Sequence, residues 1–168
     1  MSVTIGIDPH KGSRGQAIHS NREGGVQPWK LESRTSWFVI EGTELDSSRP
    51  GLVSKLLEAF LNEGDIDGLL GLYENDAVFA DFAGAAKGLA DIRSAHQRFL
   101  DSGLTLTLND SVVFEADGIA LVHWSWTVGR SDGSSTEGVS AEVLRRQADG
   151  SWKFIIDNSD GSALVGLL

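Results

Sequence analysis

The sequence contains no cysteine and no long apolar run, and these two absences remove several classes of protein. Without cysteine there is no disulfide scaffold, no thiolate zinc site and no cysteine nucleophile. Without a run of about 18 apolar residues, no helix is expected to span a membrane. The N-terminus also lacks the apolar core of a signal peptide. These features predict a cytoplasmic protein that makes no contact with membranes.

Basic side chains are also scarce, and the shortage is confined to the C-terminal part of the chain. Residues 1–50 hold six basic and six acidic side chains, whereas residues 51–168 hold eight basic and eighteen acidic ones. The whole formal charge of −10 therefore falls on residues 51–168. A surface of this sign repels a phosphate backbone, so nucleic acid is not a predicted partner.

Metal-binding and phosphate-binding patterns are missing as well. The four histidines are scattered, and no two of them have the spacing that places ligands on one helix face or one strand face. No glycine-rich phosphate loop precedes a predicted helix. The sequence therefore predicts no metal site and no other cofactor.

The composition changes near residue 50. Residues 1–48 are rich in Gly, Ser, Arg and Asn and show little periodicity, which predicts an N-terminal extension that packs loosely or is disordered. The turn-forming residues 49–51 (RPG) mark the boundary, and residues 49–168 form the predicted folded domain.

Hydrophobic periodicity in this domain predicts three helices followed by a meander of strands. Helices are expected over residues 52–63, 66–73 and 89–100, with Ser48 or Ser54 capping the first and Asp65 the second. Residues 84–88 are expected to form a turn. Strands are expected over residues 77–82, 104–108, 112–116, 119–128, 139–147 and 152–158. This order predicts an α+β fold in which a curved antiparallel sheet wraps around the helices.

The predicted strand 119–128 has two different faces. One face is apolar and the other is mixed, because side chains alternate along a strand. The apolar face carries Ala120, Val122, Trp124, Trp126 and Val128, and the other carries Leu121, His123, Ser125 and Thr127. The apolar face is expected to meet the helices, where the two tryptophans either fill the core or line a cavity.

The order of these elements, together with three short motifs, resembles the SnoaL-like, or nuclear transport factor 2-like, superfamily over about residues 51–160. The segments 64–68 (GDIDG) and 76–81 (DAVFAD) are similar to its ketosteroid isomerase branch, and 144–152 (LRRQADGSW) resembles the wider SnoaL-like group. The resemblance implies a cystatin-like cone with an apolar pocket. It also implies a homodimer formed through the outer sheet face, with His123 at the interface.

Carried over from the isomerases, the resemblance implies a catalytic base at Asp81 and a protonated, hydrogen-bond-donating acid at Glu142. The oxyanion-hole tyrosine of that branch is not matched, because Leu57 stands in its place. We expect a small apolar ligand of a cyclic, polyketide-like or steroid-like kind and acid–base isomerase, cyclase or hydrolase chemistry. The alternative is a non-catalytic ligand-binding or dimerisation module with the same fold.

Further side chains are expected to line the ligand pocket. These are Tyr73, His96, Phe99, Val122, Trp124, Trp126, Asp157 and Asn158. Alternation allows only one of the last two to point inward, and the resemblance favours Asp157.

Each of these candidates also has a structural alternative. Asp81 could cap the loop that follows its strand. Glu142 could be a solvated partner of Arg145 or Arg130. Residues 157 and 158 could form the turn into residues 160–161, and Tyr73 and His96 could be packed structural residues.

The first residues of the chain carry a separate resemblance. Residues 3–13 (VTIGIDPHKGS) resemble the opening strand of insertion-element transposases with a RuvC-like nuclease domain, in which an acid at the Asp8 position would ligate a metal. The other acidic ligands are missing, and one carboxylate does not hold two metal ions. We interpret this segment as a relic without nuclease activity.

Overall fold

The computed structural model of the chain describes residues 38–40 and 43–161. These residues belong to one compact unit, Thr35–Leu168. Most of the predicted N-terminal extension lies outside the described residues, as does the segment that resembles the transposases. The domain boundary predicted between residues 48 and 49 stays a prediction. Within the described residues, no helix combines the length and the apolar character that crossing a membrane requires.

Three helices precede most of the sheet, as the periodicity predicts. They are α1 (Pro50–Glu63), α2 (Ile66–Leu70) and α3 (Leu89–Asp101). α1 ends where Gly64 takes a φ of 75°, a conformation that glycine adopts without a Cβ penalty. The predicted cap of α2 is confirmed, because Asp65 accepts the N–H of Gly68 at 2.9 Å. The predicted serine cap of α1 is wrong: the capping position is Arg49, and its side chain makes no capping bond.

The described residues contain a two-stranded hairpin and a seven-stranded sheet. The hairpin consists of β1 (Phe38–Ile40) and β2 (Thr43–Leu45). The sheet contains β3 (Tyr73–Asp81), β4 (Gly84–Lys87), β5 (Thr105–Ala116), β6 (Ile119–Gly129), β7 (Ser135–Val139), β8 (Ala141–Arg146) and β9 (Trp152–Asn158). The strand order is β4-β3-β9-β8-β6-β5, with β7 paired to β6. Only β3 and β9 pair in parallel within this described sheet.

The predicted second helix is too long, and the following strand begins earlier than predicted. α2 ends at Leu70, and Tyr73 is the first residue of β3. Tyr73 pairs with Phe154 of β9, and the two ring centres lie 5.0 Å apart. This pairing joins residues far apart in the sequence, so tertiary contacts override the local helical spacing.

Three further strand boundaries differ from the prediction. Residues 84–88, predicted as a turn, include β4, which forms a ladder with β3. The predicted strand 139–147 is interrupted at Ser140, so β7 pairs with the second half of β6 and β8 with the first half. The predicted strands 104–108 and 112–116 are one strand, β5, whose register shifts between Leu108 and Ser111.

The apolar face of β6 forms the centre of the core, as predicted. Its buried members are Ala120, Val122, Trp124 and Trp126, and Val128 packs against them partly buried. Side chains of α1 hold the edge strand β5 against this face. Asn62 bonds both the N–H and the C=O of Leu106, at 2.9 and 2.7 Å. The amide takes the place of a neighbouring strand there and positions β5 beside α1.

Candidate functional site

A cavity of about 390 Å³ lies among α1, α3 and the strands of the sheet. Most of its lining is apolar. The apolar side chains include Leu57, Phe79, Phe99, Leu106, Leu108 and Trp126. A small number of polar side chains interrupt this lining, among them Asp81, His96, Ser140, Glu142 and Asp157. An apolar cavity with a few convergent polar groups is the usual form of a small-molecule site.

The ring of Trp126 forms part of the wall because the residue opposite it is glycine. Gly138 of β7 pairs with Trp126, and a Cβ at this position would lie 2.2 Å from a ring carbon. The indole N–H donates to the carbonyl of Ser159 at 2.9 Å. The absence of a side chain at Gly138 therefore allows the indole to lie over β7.

Glu142 and Asp157 form a pair of acids on neighbouring strands. They are direct partners in the ladder between β8 and β9, and each is only 5% exposed. Glu142 accepts hydrogen bonds from the hydroxyls of Ser54 and Ser140, the latter at 2.8 Å. Burial and the charge of Asp157 raise the pKa of Glu142 to about 8, against the effect of both serines. Glu142 is therefore a neutral acid at pH 7.

The second acid of this pair is bound to the only tyrosine of the chain. The Tyr73 hydroxyl donates to Oδ2 of Asp157 at 2.5 Å. Burial raises the pKa of Asp157 to about 6, and the bond from Tyr73 opposes the shift. Since two adjacent buried carboxylates do not both ionise, Glu142 holds the proton and Asp157 carries the charge. Burial and this charge raise the pKa of Tyr73 well above its usual value, so the tyrosine keeps its proton.

His96 of α3 is a second polar neighbour of the same hydroxyl. Its Nε2 lies 3.0 Å from the Tyr73 oxygen, and its ring centre lies 4.5 Å from that of Phe79. Burial lowers the pKa of His96 to about 4, although the charge of Asp81 opposes the shift. The imidazole is therefore neutral at pH 7.

Asp81 lies at the end of β3 in a different environment. Its side chain is half-buried, and its Oδ1 accepts the N–H of Ala83 at 2.7 Å. Besides the apolar cavity, it borders a smaller polar depression of about 230 Å³ between β4 and α3 that is lined by Asp91 and Arg98. The bond to Ala83 matches the structural alternative of a residue that caps the loop after its strand. The catalytic role of Asp81 stays a prediction.

The structure brings most of the predicted site residues to the cavity. Those that border it are Asp81, His96, Phe99, Trp126, Glu142 and Asp157. The cavity lining does not include Tyr73, whose ring is fully buried and whose hydroxyl donates to Asp157.

The other predicted pocket residues lie elsewhere, so their placement in the pocket is corrected. Val122 is fully buried in the core. Trp124 is also a core residue, with Lys55 Nζ 5.1 Å above its ring. The side chain of Asn158 accepts the N–H of Asp160 at 3.2 Å and belongs to the turn after β9. Alternation along β9 decides this last outcome, because it points Asp157 inward.

Glu142 is not the solvated partner of an arginine, which was its structural alternative. Arg145 pairs with Glu74 at 3.1 Å, and Arg130 donates to the hydroxyl of Thr136 at 2.9 Å. β8 turns Glu142 toward the core instead, where Ser54 meets it.

Sequence reasoning missed the two serines that bind Glu142. Ser54 precedes Leu57 by three residues and Leu61 by seven, so it lies on the helix face that borders the cavity. That spacing was a usable signal. Ser140 occupies the interruption between β7 and β8, and no local pattern marked it.

A curved, open sheet with helices on one face and an apolar cavity between them defines an α+β cone of the cystatin-like class. Residues 53–155 match the family model of the SnoaL-like domain. The chain belongs to this family. No curated protein matches the sequence significantly.

Solved structures with the same fold come from several bacteria. A cystatin-like protein of unknown function from Nostoc punctiforme is 20% identical with a TM-score of 0.61, covering 69% of this chain and 90% of that one. An NTF2-like protein of unknown function from Pseudomonas putida is 22% identical with a TM-score of 0.58, covering 67% and 83%. A protein from Shewanella frigidimarina, named as a candidate ketosteroid isomerase, is 19% identical with a TM-score of 0.56, covering 68% and 95%. Likeness at these identities shows the fold alone.

Proposed function

We propose that the chain binds a small apolar ligand in the cavity and transfers a proton at a carbon atom next to a carbonyl group. The observation that supports this function is a neutral acid, Glu142, buried at an apolar cavity that a half-exposed acid, Asp81, also borders. In this arrangement Asp81 is the general base. Glu142 donates a hydrogen bond to the carbonyl oxygen of the ligand.

The chemistry follows from the different surroundings of the two acids. Negative charge develops on a carbonyl oxygen when the neighbouring carbon loses a proton, and a fixed donor in a dry site stabilises that charge. Glu142 retains its proton because it is buried beside a charged partner. Asp81 keeps contact with the polar depression, through which its proton can return to solvent.

Relatives of the same fold support the class of reaction. The Shewanella frigidimarina protein is named as a candidate ketosteroid isomerase, and a protein from Streptomyces avermitilis as a candidate dehydratase of the NTF2-like family. Leu57 borders the cavity here, at the position where the resemblance to the isomerases would require a tyrosine. We therefore propose proton transfer on an apolar carbonyl compound and not steroid isomerisation in particular.

Exchange of ligand protons for deuterium tests this function without knowledge of the product. The protein is mixed in D₂O with α-tetralone and related cyclic ketones, and loss of the α-proton signal is followed by NMR. We expect exchange above the buffer rate, and we expect Asp81→Asn to reduce it by about 10²–10⁴-fold. Asp91→Asn is the matched control, because Asp91 borders the polar depression but not the apolar cavity. Exchange at the buffer rate with every ketone would contradict catalysis.

One observation favours a second function, that of a non-catalytic binding module. Both buried acids already have hydrogen-bond partners within the chain, from Ser54, Ser140 and Tyr73. A network satisfied in this way can be purely structural. Binding without exchange distinguishes this module from an enzyme. It is measured by quenching of tryptophan fluorescence, with Trp126→Phe as the variant that loses the signal.

We also propose that the chain forms a homodimer through the outer face of the sheet. Phe114, Leu121, Val143 and Ile156 lie side by side on β5, β6, β8 and β9. Phe114 is 60% and Ile156 45% exposed, and a contiguous apolar row of this kind typically marks an interface. His123 of the same face is half-buried, and its Nδ1 lies 3.1 Å from the carbonyl oxygen of Ser140.

Light scattering at micromolar concentration tests the dimer. We expect twice the chain mass for the wild type and a monomer for Ile156→Lys, because the new charge would be buried at the interface. Thr107→Lys is the matched control, because Thr107 lies on the outer face but away from the apolar row, and it should leave the dimer intact. A monomeric wild type would contradict this assembly.

A further inference from the structure

The Tyr73 hydroxyl has one proton and two polar neighbours. It lies 2.5 Å from Oδ2 of Asp157 and 3.0 Å from Nε2 of His96. We propose that Tyr73 and Asp157 hold His96 in the tautomer protonated on Nε2, so that Nδ1 offers a lone pair to the cavity and selects a ligand bearing a hydroxyl group. Ligand selection by His96 rests on the proposed function, whereas the tautomer does not.

The first step concerns the proton of Tyr73. A phenol has one proton to donate, and the geometry gives it to the carboxylate of Asp157. A bond to an ionised acceptor is also the stronger of the two available bonds. The tyrosine oxygen can therefore only accept a hydrogen bond from His96.

The second step concerns the imidazole. A neutral imidazole carries one proton, on either Nδ1 or Nε2. Because the tyrosine oxygen accepts, the nitrogen facing it must be the protonated one, and that nitrogen is Nε2. Nδ1 is then an acceptor with a free lone pair. Burial supports this state, since it keeps the ring uncharged at neutral pH.

The third step concerns where Nδ1 lies. Among the described residues, Nδ1 of His96 has no hydrogen-bond partner. The Trp124 indole nitrogen is the only side-chain polar atom of these residues that is both fully buried and without a partner, so Nδ1 is not fully buried. Nδ1 is therefore not sealed in the core. His96 as a whole is only 3% exposed and borders the cavity, so its accessible nitrogen opens into that space.

These steps assign opposite roles to two polar groups that border the cavity. Glu142 is a neutral acid and can donate to a carbonyl oxygen, whereas Nδ1 of His96 can only accept. A ligand that carries both a carbonyl and a hydroxyl group on an apolar ring system satisfies both groups. An ether at the hydroxyl position leaves the lone pair of His96 unpaired, which disfavours binding. His96 is thus the residue that determines specificity, and Tyr73 and Asp157 position it.

Nitrogen NMR of the full chain with labelled histidine tests the tautomer without any ligand. The spectrum of His96→Gln identifies the His96 signals among the four histidines of the sequence. We expect the proton on Nε2 in the wild type at pH 7. In Tyr73→Phe, which keeps the ring packed on Phe154, we expect the Nδ1-protonated form to become populated. A proton on Nδ1 in the wild type would overturn the inference, and this outcome needs no variant to fold.

Three matched ketones test the ligand class: α-tetralone and its hydroxy and methoxy derivatives substituted at the same ring carbon. We expect the wild type to bind the hydroxy derivative about tenfold more tightly than the methoxy derivative. His96→Gln, which retains a donor for Tyr73 but lacks the acceptor at the Nδ1 position, should lose this preference. If the wild type binds the two derivatives equally, ligand selection by His96 is overturned, and the tautomer is not affected. If none of the three ketones binds, the proposed function fails together with selection, while the NMR result still decides the tautomer.

Discussion

The acids around the cavity fall into two groups, and the groups differ in whether a side chain from a distant part of the sequence binds them, besides local partners such as Ser140 for Glu142. Glu142 is bound by Ser54, 88 residues away, and Asp157 by Tyr73, 84 residues away. Asp81 is bound by the N–H of Ala83, only two residues away. We call Glu142 and Asp157 the inner pair. The surroundings of the inner pair therefore depend on folding, whereas those of Asp81 depend largely on the neighbouring sequence.

This difference in origin goes with a difference in chemistry. The inner pair is almost entirely removed from water, which separates the two pKa values and leaves one acid neutral. Asp81 keeps a half-exposed side chain beside a polar depression. The inner acids are accordingly suited to fixed hydrogen bonds, and the outer acid to exchanging protons with solvent.

The largest expected effect comes from removing the hydrogen bond that Asp157 receives. Tyr73→Phe leaves a buried carboxylate without this donor, which should cost about 3 kcal/mol of unfolding free energy at pH 8. The bond lowers the pKa of Asp157, so its loss raises that pKa. The loss of unfolding free energy should therefore be smaller at pH 5, where Asp157 is protonated with or without the bond. Urea unfolding at the two pH values measures this. An equal cost at both would show that the lost bond does not depend on the charge of Asp157.

The next effect is the pH dependence of stability that Glu142 contributes. Its pKa is higher in the folded chain than its ordinary value of 4.5, so the folded state holds the extra proton and stability falls as the pH rises toward 8. Between pH 6.5 and 8 the decrease should be on the order of 2 kcal/mol. The opposite contribution of His96, whose pKa is lowered from 6.5, fades over the lower part of this range, as the unfolded chain loses its histidine proton.

Glu142→Gln should remove this slope, because an amide does not titrate, and urea unfolding at a series of pH values measures it. Asp81→Asn is the matched control and should retain the slope. If the unfolding free energy of Glu142→Gln still decreases between pH 6.5 and 8, another group holds the proton. That outcome would contradict the assignment of Glu142 as the neutral acid of the pair.

A smaller effect is expected from the serine of α1. Ser54→Ala removes one hydrogen bond to Glu142 and should cost about 1 kcal/mol. Since that bond lowers the pKa of Glu142, the pH at which stability decreases should also move upward. Ser94→Ala on α3, whose hydroxyl bonds only the carbonyl of Ala90 one turn earlier, should change stability by less than about 0.5 kcal/mol. Equal effects of the two serines would contradict a special role for Ser54.

The smallest effect is expected at Asp81. Asparagine retains an oxygen that accepts the N–H of Ala83, so Asp81→Asn should change the unfolding free energy by less than about 0.5 kcal/mol. Urea unfolding measures this alongside the proton-exchange assay. A gain of about 0.5–2 kcal/mol would instead mark Asp81 as an acid held at a cost to stability, like those of the inner pair.

Local patterns predicted the elements whose causes are local. Strands over residues 112–116 and 119–128 were predicted, and the Asp117-Gly118 turn between them has φ values of 49° and 76°, the positive values that a tight hairpin turn of this type requires. The Asp65 cap and the alternating faces of β6 were predicted for the same reason. The prediction for Tyr73 was wrong because its helical spacing is local, while its pairing with Phe154 joins distant segments.

The candidate site was predicted only in part. The positions of Glu142 and Asp157 came from resemblance to a family. Alternation along β9 allowed only one of Asp157 and Asn158 to point inward, and the resemblance favoured Asp157, which the structure buries. The hydrogen bonds from Ser54, Ser140 and Tyr73 were not predicted. The bond from Ser54 depends on how α1 lies against the sheet, and the bond from Tyr73 depends on the parallel pairing of β3 with β9. The bond from Ser140 depends on the break between β7 and β8.

The sequence by itself determined the three helices, the apolar face of β6 and an α+β order of helices and strands, because periodicity and turn chemistry act over a few residues. The cone shape was implied by the resemblance to a family. It also determined the acidic charge of residues 51–168. Only the tertiary structure decided that Glu142 is neutral, that Tyr73 binds Asp157 and that His96 meets Tyr73. The physical reason is that a carboxyl group changes its pKa through burial and near neighbours, and both exist only after distant strands and helices have packed together.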